Sequence, residues 1–339
     1  LEDAQWVAHF GRFTPLPGSL PQPLALRYHG HQFRSYNPDI GDGRGFLFAQ
    51  MRDTQGRLMD LGTKGSGQTP YSRFGDGRLT LKGAVREILA TEMLEALGVE
   101  TSRTFSVIET GEALHRGDEP SPTRSAVLVR LSHGHIRIGS FQRLATLGLT
   151  EELRRLTAYA LRHYYGEESG DDADAPVRLV RLVIDRTAQM AASFMAAGFV
   201  HGVLNTDNVA LSGETIDYGP CAFIDAYDPA TVFSSIDRQG RYAFGNQPKI
   251  TSWNLARFAE ALLPILDDHE ATAVEVAQAC LESFPAQFQR NWLAAYRGKL
   301  GLLTEEDADA GLIEELLAWM HSTQADFTQT FRRLRPIDL

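Results

Sequence analysis

The sequence predicts an α+β fold in two lobes, a strand-rich front and a helical back. Three observations predict it. Short apolar stretches broken by Pro and Gly fill the first 60 or so residues, one strong helical period runs over 80–97, and helical periods dominate after about residue 140. The expected division is therefore a first lobe over 1–140 and a second over 141–339.

In the front lobe, stretches such as Gly45-Phe46-Leu47-Phe48-Ala49 read as strands and turns, and 58–64 reads as a short strand before the breaker-rich 65–70. The helix at 80–97 rests on Leu81, Ala84, Val85, Ile88, Leu89, Met93, Ala96 and Leu97 at three- and four-residue spacing, with Gly98 ending it. Strands follow at 104–108 and 125–131 around a polar turn. In the back lobe, helices are expected over 150–164, 177–197, 255–266, 270–299 and 305–321, with an acidic linker at 167–175 and a strand-like piece near 208–225. The tetrapeptide Gly-Asp-Gly-Arg recurs at 41–44 and 75–78, which is too little to make a repeat architecture.

Composition narrows the function classes. The chain has 339 residues, 43% hydrophobic and 22% charged, which is ordinary for a soluble globular protein large enough to bury a sizeable core. Its formal net charge of −10 argues against a nucleic-acid partner, because no Lys/Arg surplus exists to neutralise a phosphate backbone. The two cysteines, Cys221 and Cys280, are too few and isolated for a disulfide framework or a thiolate zinc site, as expected in a reducing compartment. No apolar run approaches a membrane span and no signal-peptide core opens the chain.

The densest polar cluster between apolar flanks is His201-Gly202-Val203-Leu204-Asn205-Thr206-Asp207-Asn208, followed by Ile216-Asp217-Tyr218-Gly219-Pro220. A loop presenting Asn and a hairpin presenting Asp before Gly resemble the metal-holding half of a protein-kinase site, where hard oxygens hold Mg²⁺ against phosphates. Taken alone, Asp207, Asn208 and Asp217 read equally well as turn formers. Upstream parts appear in kinase order: a Lys64 closing a strand, then Glu87 in the predicted helix, as for a strand Lys paired with a helix Glu. By itself Lys64 reads as a surface lysine and Glu87 as a solvated i,i+4 partner; order and spacing raise both. Gly41-Asp42-Gly43-Arg44-Gly45 stands about one hairpin before Lys64, where glycines would let backbone N–H groups approach phosphates.

One part is absent. A phosphotransferase loop carries an Asp that accepts the substrate hydroxyl proton, and the matching position here is Val203. Either the chain is a non-catalytic ATP-binding pseudokinase, or another carboxylate serves, Asp207 being the obvious replacement. An ordinary kinase acting on a protein or small molecule is the remaining alternative, which Val203 disfavours.

Together these residues resemble the selenoprotein O (YdiU) family, kinase-like proteins that transfer AMP to other proteins. The matching segments include His29-Gly30-His31-Gln32-Phe33, Leu61-Gly62-Thr63-Lys64-Gly65-Ser66-Gly67, Thr69-Pro70-Tyr71-Ser72-Arg73, His135-Ile136-Arg137, Asn205-Thr206-Asp207-Asn208, Ile216-Asp217-Tyr218-Gly219-Pro220 and Gly240-Arg241-Tyr242-Ala243-Phe244. The resemblance implies a bilobal kinase-like fold and an ATP flipped relative to ordinary kinases, its γ-phosphate inward and its α-phosphate facing the acceptor. It implies nucleotide contacts at Gly41, Gly43, Arg44, Lys64, Asp76, Gly77, Arg130, Arg137 and Asp217, metal ligands at Asn208 and Asp217, and a catalytic base at Asp207. Glu87 takes the lysine-pairing role. It further implies ATP with Mg²⁺, or Mn²⁺ as the alternative, protein acceptors with Ser, Thr or Tyr hydroxyls, and a cytoplasmic location in bacteria or a mitochondrial one in eukaryotes. No nucleic-acid or membrane partner is implied, and target identity, hydroxyl preference and oligomeric state have no sequence signal.

Two departures stand out. Family members continue past this chain with an Asn-Pro-x-Tyr segment and a terminal Cys or selenocysteine, whereas this chain ends at Ile337-Asp338-Leu339. Many bacterial relatives carry Cys-Asn-His-Ser-Asp where this one reads Ser234-Ser235-Ile236-Asp237. Both argue against the family's disulfide-based redox control here.

Overall fold

The structure, a computed structural model, describes residues 2–167 and 172–334, so part of the acidic linker at 167–175 and the terminal Ile337-Asp338-Leu339 lie outside the described residues. It is α+β, with a β-sheet region followed by a helical part. In chain order the elements are α1 (Asp3–Trp6), β1 (Gly30–Gln32), β2 (Ser35–Asn37), β3 (Leu47–Arg52), β4 (Leu58–Lys64), β5 (Leu79–Thr80), α2 (Leu81–Ala96), β6 (Arg103–Leu114) and β7 (Thr123–Ser132). Then come α3 (Ile138–Thr146), α4 (Thr150–Tyr165), α5 (Ala175–Ala197), β8 (Phe199–Val200), β9 (Ala222–Phe223), α6 (Gln247–Leu266), α7 (Glu270–Leu281), α8 (Phe284–Leu300), α9 (Asp309–Thr323) and α10 (Phe327–Arg333).

Strand β7 organises the five-stranded antiparallel sheet, pairing with β4, β5 and β6, while β3 lies outside β4. Register decides what the sheet presents. Gly62 lies opposite Arg130 and Lys64 opposite Leu128, so the two-residue period of a strand puts Lys64 and Arg130 on one face. Gly62 must lack a side chain, since a Cβ there would lie 2.7 Å from His135 Nε2. The His135 ring and backbone N–H both bond Asp60 Oδ2 at 3.1 Å, which anchors the chain that runs from β7 to Arg137.

Helix α2 packs on β6 and β7, and Thr80 caps it by accepting from Gly83 N at 3.0 Å. The expected helix is present, but its buried face is not the expected one. Val85, Leu89, Met93 and Leu97 are exposed, Leu89 at 64%, while Glu87 and Thr91 are buried with Ala84, Ala90 and Leu94. The apolar residues fall on two faces of the helix, and the buried Glu87 carboxylate is paired with Lys64.

The largest apolar core lies in the helical part, where α5 packs against α4, α6, α7 and α8. Two expectations need correction: α6 begins at Gln247, with Pro248 in its first turn, rather than near 255; and the single helix over 270–299 is two, broken at 282–283 ahead of Pro285. The short α3 and α10 have no counterpart in the sequence reading. The strand-like piece near 208–225 reduces to β9, paired with β8, plus isolated bridges.

Glu214, in the turn after the 201–208 loop, carries a measurable consequence of burial. Its Oε2 accepts from His133 N at 2.8 Å, and burial pushes its carboxyl up to about 8. The folded chain thus holds a proton that the unfolded chain, with an ordinary carboxyl near 4.5, has released. Stability contributed here is full below about pH 4.5 and is lost as pH rises towards 8. Glu214→Gln keeps the acceptor and removes the titration. Thermal unfolding at pH 6 and pH 9 should show the variant losing less stability on alkalinisation than the parent; equal losses would contradict the assignment.

Candidate active site

The 201–208 loop is held from three sides. His201 Nε2 donates to Ile216 O at 2.8 Å, Gln247 Oε1 accepts from His201 N at 3.0 Å, and Asn254 Nδ2 donates to Leu204 O at 2.9 Å. From above, the β1–β2 hairpin contributes His31 N to Thr206 Oγ1 at 2.8 Å and Phe33 N to Asn205 Oδ1 at 3.2 Å. Gly30 packs so closely that an added Cβ would lie 3.1 Å from Asp207 Cβ. The loop ends in a single 3-10 turn over Thr206–Asn208.

Opposite the loop, Asp217 collects three cations. Arg130 Nη1 donates to its Oδ1 at 2.6 Å, Arg137 Nη1 donates to its Oδ2 at 2.5 Å, and Lys64 Nζ lies 3.7 Å from Oδ1. Lys64 also pairs with Glu87, both buried. Burial pushes the Asp217 carboxyl up, but Arg137, then Arg130 and Lys64, more than reverse this and hold it well below the usual carboxylate range. Asp217 has φ of 62°, a left-handed conformation that Asp tolerates better than most residues.

Arg137 is the most enclosed of these groups, 1% exposed. It donates from Nη1 to Asp207 O at 2.8 Å, lies 3.6 Å from Asp42 Oδ1 through Nη2, and covers the Tyr28 ring at 4.5 Å from its centroid. Tyr28 OH in turn donates to Asp42 Oδ1 at 3.1 Å. Several guanidinium nitrogens here, Arg130 Nε and Arg137 Nε and Nη2, are buried without a hydrogen-bond acceptor among the described residues.

These groups face a cavity of about 690 Å³. Its walls include Gly41, Gly43, Arg44, Lys64, Asp76, Gly77, Arg130, Arg137, Asn208 and Asp217, so ten of the residues expected at the site share one cleft. The glycines are sterically required: a Cβ at Gly41 would lie 2.6 Å from the Tyr71 ring, and at Gly77, with φ of 71°, 2.2 Å from the Gly67 carbonyl carbon. Asp76 lies at the exposed rim in an ion pair with Arg116. Glu87 stands behind Lys64 rather than in the wall.

Asp207 lies beside the cavity, not in its lining. Its Oδ1 is buried with no hydrogen-bond partner among the described residues, and burial pushes its carboxyl up to about 6 against the opposing pull of Arg137. A desolvated carboxylate with a free oxygen is chemically suited to accept a proton. Asn208 donates its Nδ2 to Val203 O at 2.7 Å, which leaves its Oδ1 uncommitted among the described residues. Asp217, whose two oxygens accept from Arg130 and Arg137, lines the same cleft and is its other hard-oxygen donor. Among the described residues, no three His, Cys, Asp or Glu side chains converge on a metal site.

Two contributors had no sequence reading, Tyr28 and Asp42. Asp42 lies inside the glycine run already singled out, and its neighbours were the signal. Tyr28 has no motif, and only the stacked guanidinium reveals it.

Buried, under-satisfied guanidinium groups and a lysine around a glycine-walled cleft define a polyanion-binding site of the kind that takes a nucleotide polyphosphate. The family model described as "Protein adenylyltransferase SelO" matches residues 1–338, and the chain belongs to that family. It is 50% identical over 328 residues to a protein called "Protein nucleotidyltransferase YdiU" from Rhizobium rhizogenes, covering 97% of this chain and 64% of that protein. Proteins of the same name from Halalkalibacterium halodurans and Geobacillus kaustophilus are each 48% identical, over 92% and 98% of this chain and 63% and 68% of their own lengths. The chain thus spans roughly two thirds of the length of these curated relatives. Among the described residues, no helix is long and apolar enough to cross a membrane.

Proposed function

We propose that the chain carries the nucleotide-binding and catalytic parts of a protein adenylyltransferase, moving AMP from ATP to a Ser, Thr or Tyr hydroxyl of an acceptor protein. In this reading the fold is kinase-like and bilobal, with a nucleotide-binding lobe over 1–140 and a helical lobe over 141–339. The observation that carries it is the placement of charge. Val203 stands at the usual base position and lines the cavity, while among the described residues the one buried, unpartnered carboxylate oxygen belongs to Asp207. Arg130 and Arg137, both buried, concentrate the positive charge at Asp217. A triphosphate lying tail-first would set its γ-phosphate against these two arginines and present its α-phosphorus towards Asp207.

Asp207 then accepts the hydroxyl proton as the acceptor oxygen attacks the α-phosphorus. A new P–O bond forms, the bond between the α-phosphorus and the bridging oxygen breaks, and pyrophosphate leaves with its electron pair. Lys64, Arg130 and Arg137 offset phosphate charge, with Glu87 fixing the lysine, so rate enhancement comes from positioning and electrostatics. Asn208 and Asp217 would hold Mg²⁺, or Mn²⁺ as the alternative, whose contribution when bound is charge neutralisation on phosphate oxygens.

Incubation with ATP labelled at the α- or the γ-phosphate tests the reading. Covalent label from α alone is expected. Label from γ alone would make the chain an ordinary kinase, and nucleotide binding without transfer would make it a pseudokinase.

A further inference from the structure

A second cavity, of about 1000 Å³, opens on the far side of the β1–β2 hairpin, between the turn at 33–35, the segment 236–246 and the first half of α6. Four cations line it: Arg34, Arg238, Arg241 and Lys249. None of the four forms an ion pair among the described residues, in a chain whose formal net charge is −10. The groove's one carboxylate is Asp237, which is buried and spent on the backbone, accepting from Arg241 N at 2.9 Å and Tyr242 N at 2.7 Å. Arg241 lies over the Trp253 ring, 4.7 Å from its centroid, and its Nε is buried without an acceptor. Trp253 also lines the groove, so an aromatic ring stands there beside a guanidinium whose Nε has no acceptor among the described residues.

The groove is also joined to the candidate base. Phe33, in its wall, donates its N–H to Asn205, and Tyr242 donates its hydroxyl to the same Asn205 Oδ1. Asn205 is two residues from Asp207, so one side chain ties the groove wall to the loop that carries the candidate base.

We infer that this groove receives an acidic segment of the acceptor protein, whose carboxylates beside the modified hydroxyl pair with Arg34, Arg238, Arg241 and Lys249. This rests on the adenylyltransferase reading and adds the class of acceptor to it. The stacked Arg241 and Trp253 grip the segment, and the exposed Arg34, Arg238 and Lys249 select its charge.

The test uses a fluorescein-labelled peptide with one serine flanked by Asp and Glu, a matched peptide flanked by Lys, and a single-stranded oligonucleotide, with anisotropy read at about 0.1 M salt. The acidic peptide should bind at least about tenfold more tightly than the basic one. Arg238→Glu with Lys249→Glu should weaken the acidic peptide at least about tenfold and leave ATP affinity and thermal unfolding unchanged. Equal binding of both peptides, an unaffected double variant, or an oligonucleotide that binds better than the acidic peptide would overturn the inference. If ATP fails to bind while the charge selectivity holds, the adenylyltransferase reading falls and the acidic-segment groove stands.

Discussion

Asp207→Asn should reduce AMP transfer by about 10²–10⁴-fold while leaving nucleotide affinity within a few-fold of the parent. The size of the effect follows from what the substitution changes. Asparagine keeps the shape that Gly30 packs against, and the backbone carbonyl that Arg137 holds is untouched. Only the ability to take a proton is lost. Stability should be unchanged or slightly raised, because Oδ1 is buried without a partner and burial already pushes the carboxyl up to about 6. Transfer from α-labelled ATP, nucleotide affinity and the unfolding midpoint measured on one preparation separate lost chemistry from lost folding. Full transfer by the variant would remove Asp207 from its role and return the choice of base to the rest of the cleft.

Arg137→Met is expected to have the largest effect on stability, about 3 kcal/mol, and to abolish nucleotide binding. The guanidinium ties together four parts of the chain: Asp217, the Asp207 carbonyl, Asp42 and the Tyr28 ring. Methionine fills much of the volume but leaves the Asp217 carboxylate with Arg130 and Lys64 alone, and it orphans a buried carbonyl. The loss should be smaller in the double variant Arg137→Met, Asp217→Asn than the two single losses added, because each single change strands the other's charge. Arg137→Lys should not restore binding, since an ammonium cannot reach two acceptors in the guanidinium's planar fork and also stack on Tyr28. Denaturant unfolding of the four proteins in this cycle checks the coupling, and strict additivity would contradict it.

What could be read in the sequence was chemistry in linear order. Lys64 at the end of a strand, Glu87 one helix later, the Asn208 loop and Asp217 before Gly219 are local signals; the fold pairs Lys64 with Glu87, sets it 3.7 Å from Asp217, and puts Asn208 in the same cleft wall. Arg130 and Arg137 entered only through family resemblance; their convergence depends on the register of β4 against β7 and on the His135–Asp60 anchor, neither of which spacing reveals. The buried face of α2 is hidden in the sequence for a related reason. Apolar residues at 85, 89, 93 and 97 make a regular stripe, but the helix is oriented by the Glu87–Lys64 pair and by Ala84 and Leu94 against the sheet. Tyr28 lies in a segment with no periodicity or motif, and Trp253 lies in α6 ahead of the helix start expected near 255, so their contacts are purely tertiary.

The proposed transfer depends on the direction in which the triphosphate lies. A crystal structure with a non-hydrolysable ATP analogue and Mg²⁺ measures it directly. The account requires the γ-phosphate to contact Arg130 and Arg137 and the α-phosphorus to face Asp207. A γ-phosphate at the cleft mouth, with the α-phosphate against the arginines, would contradict it.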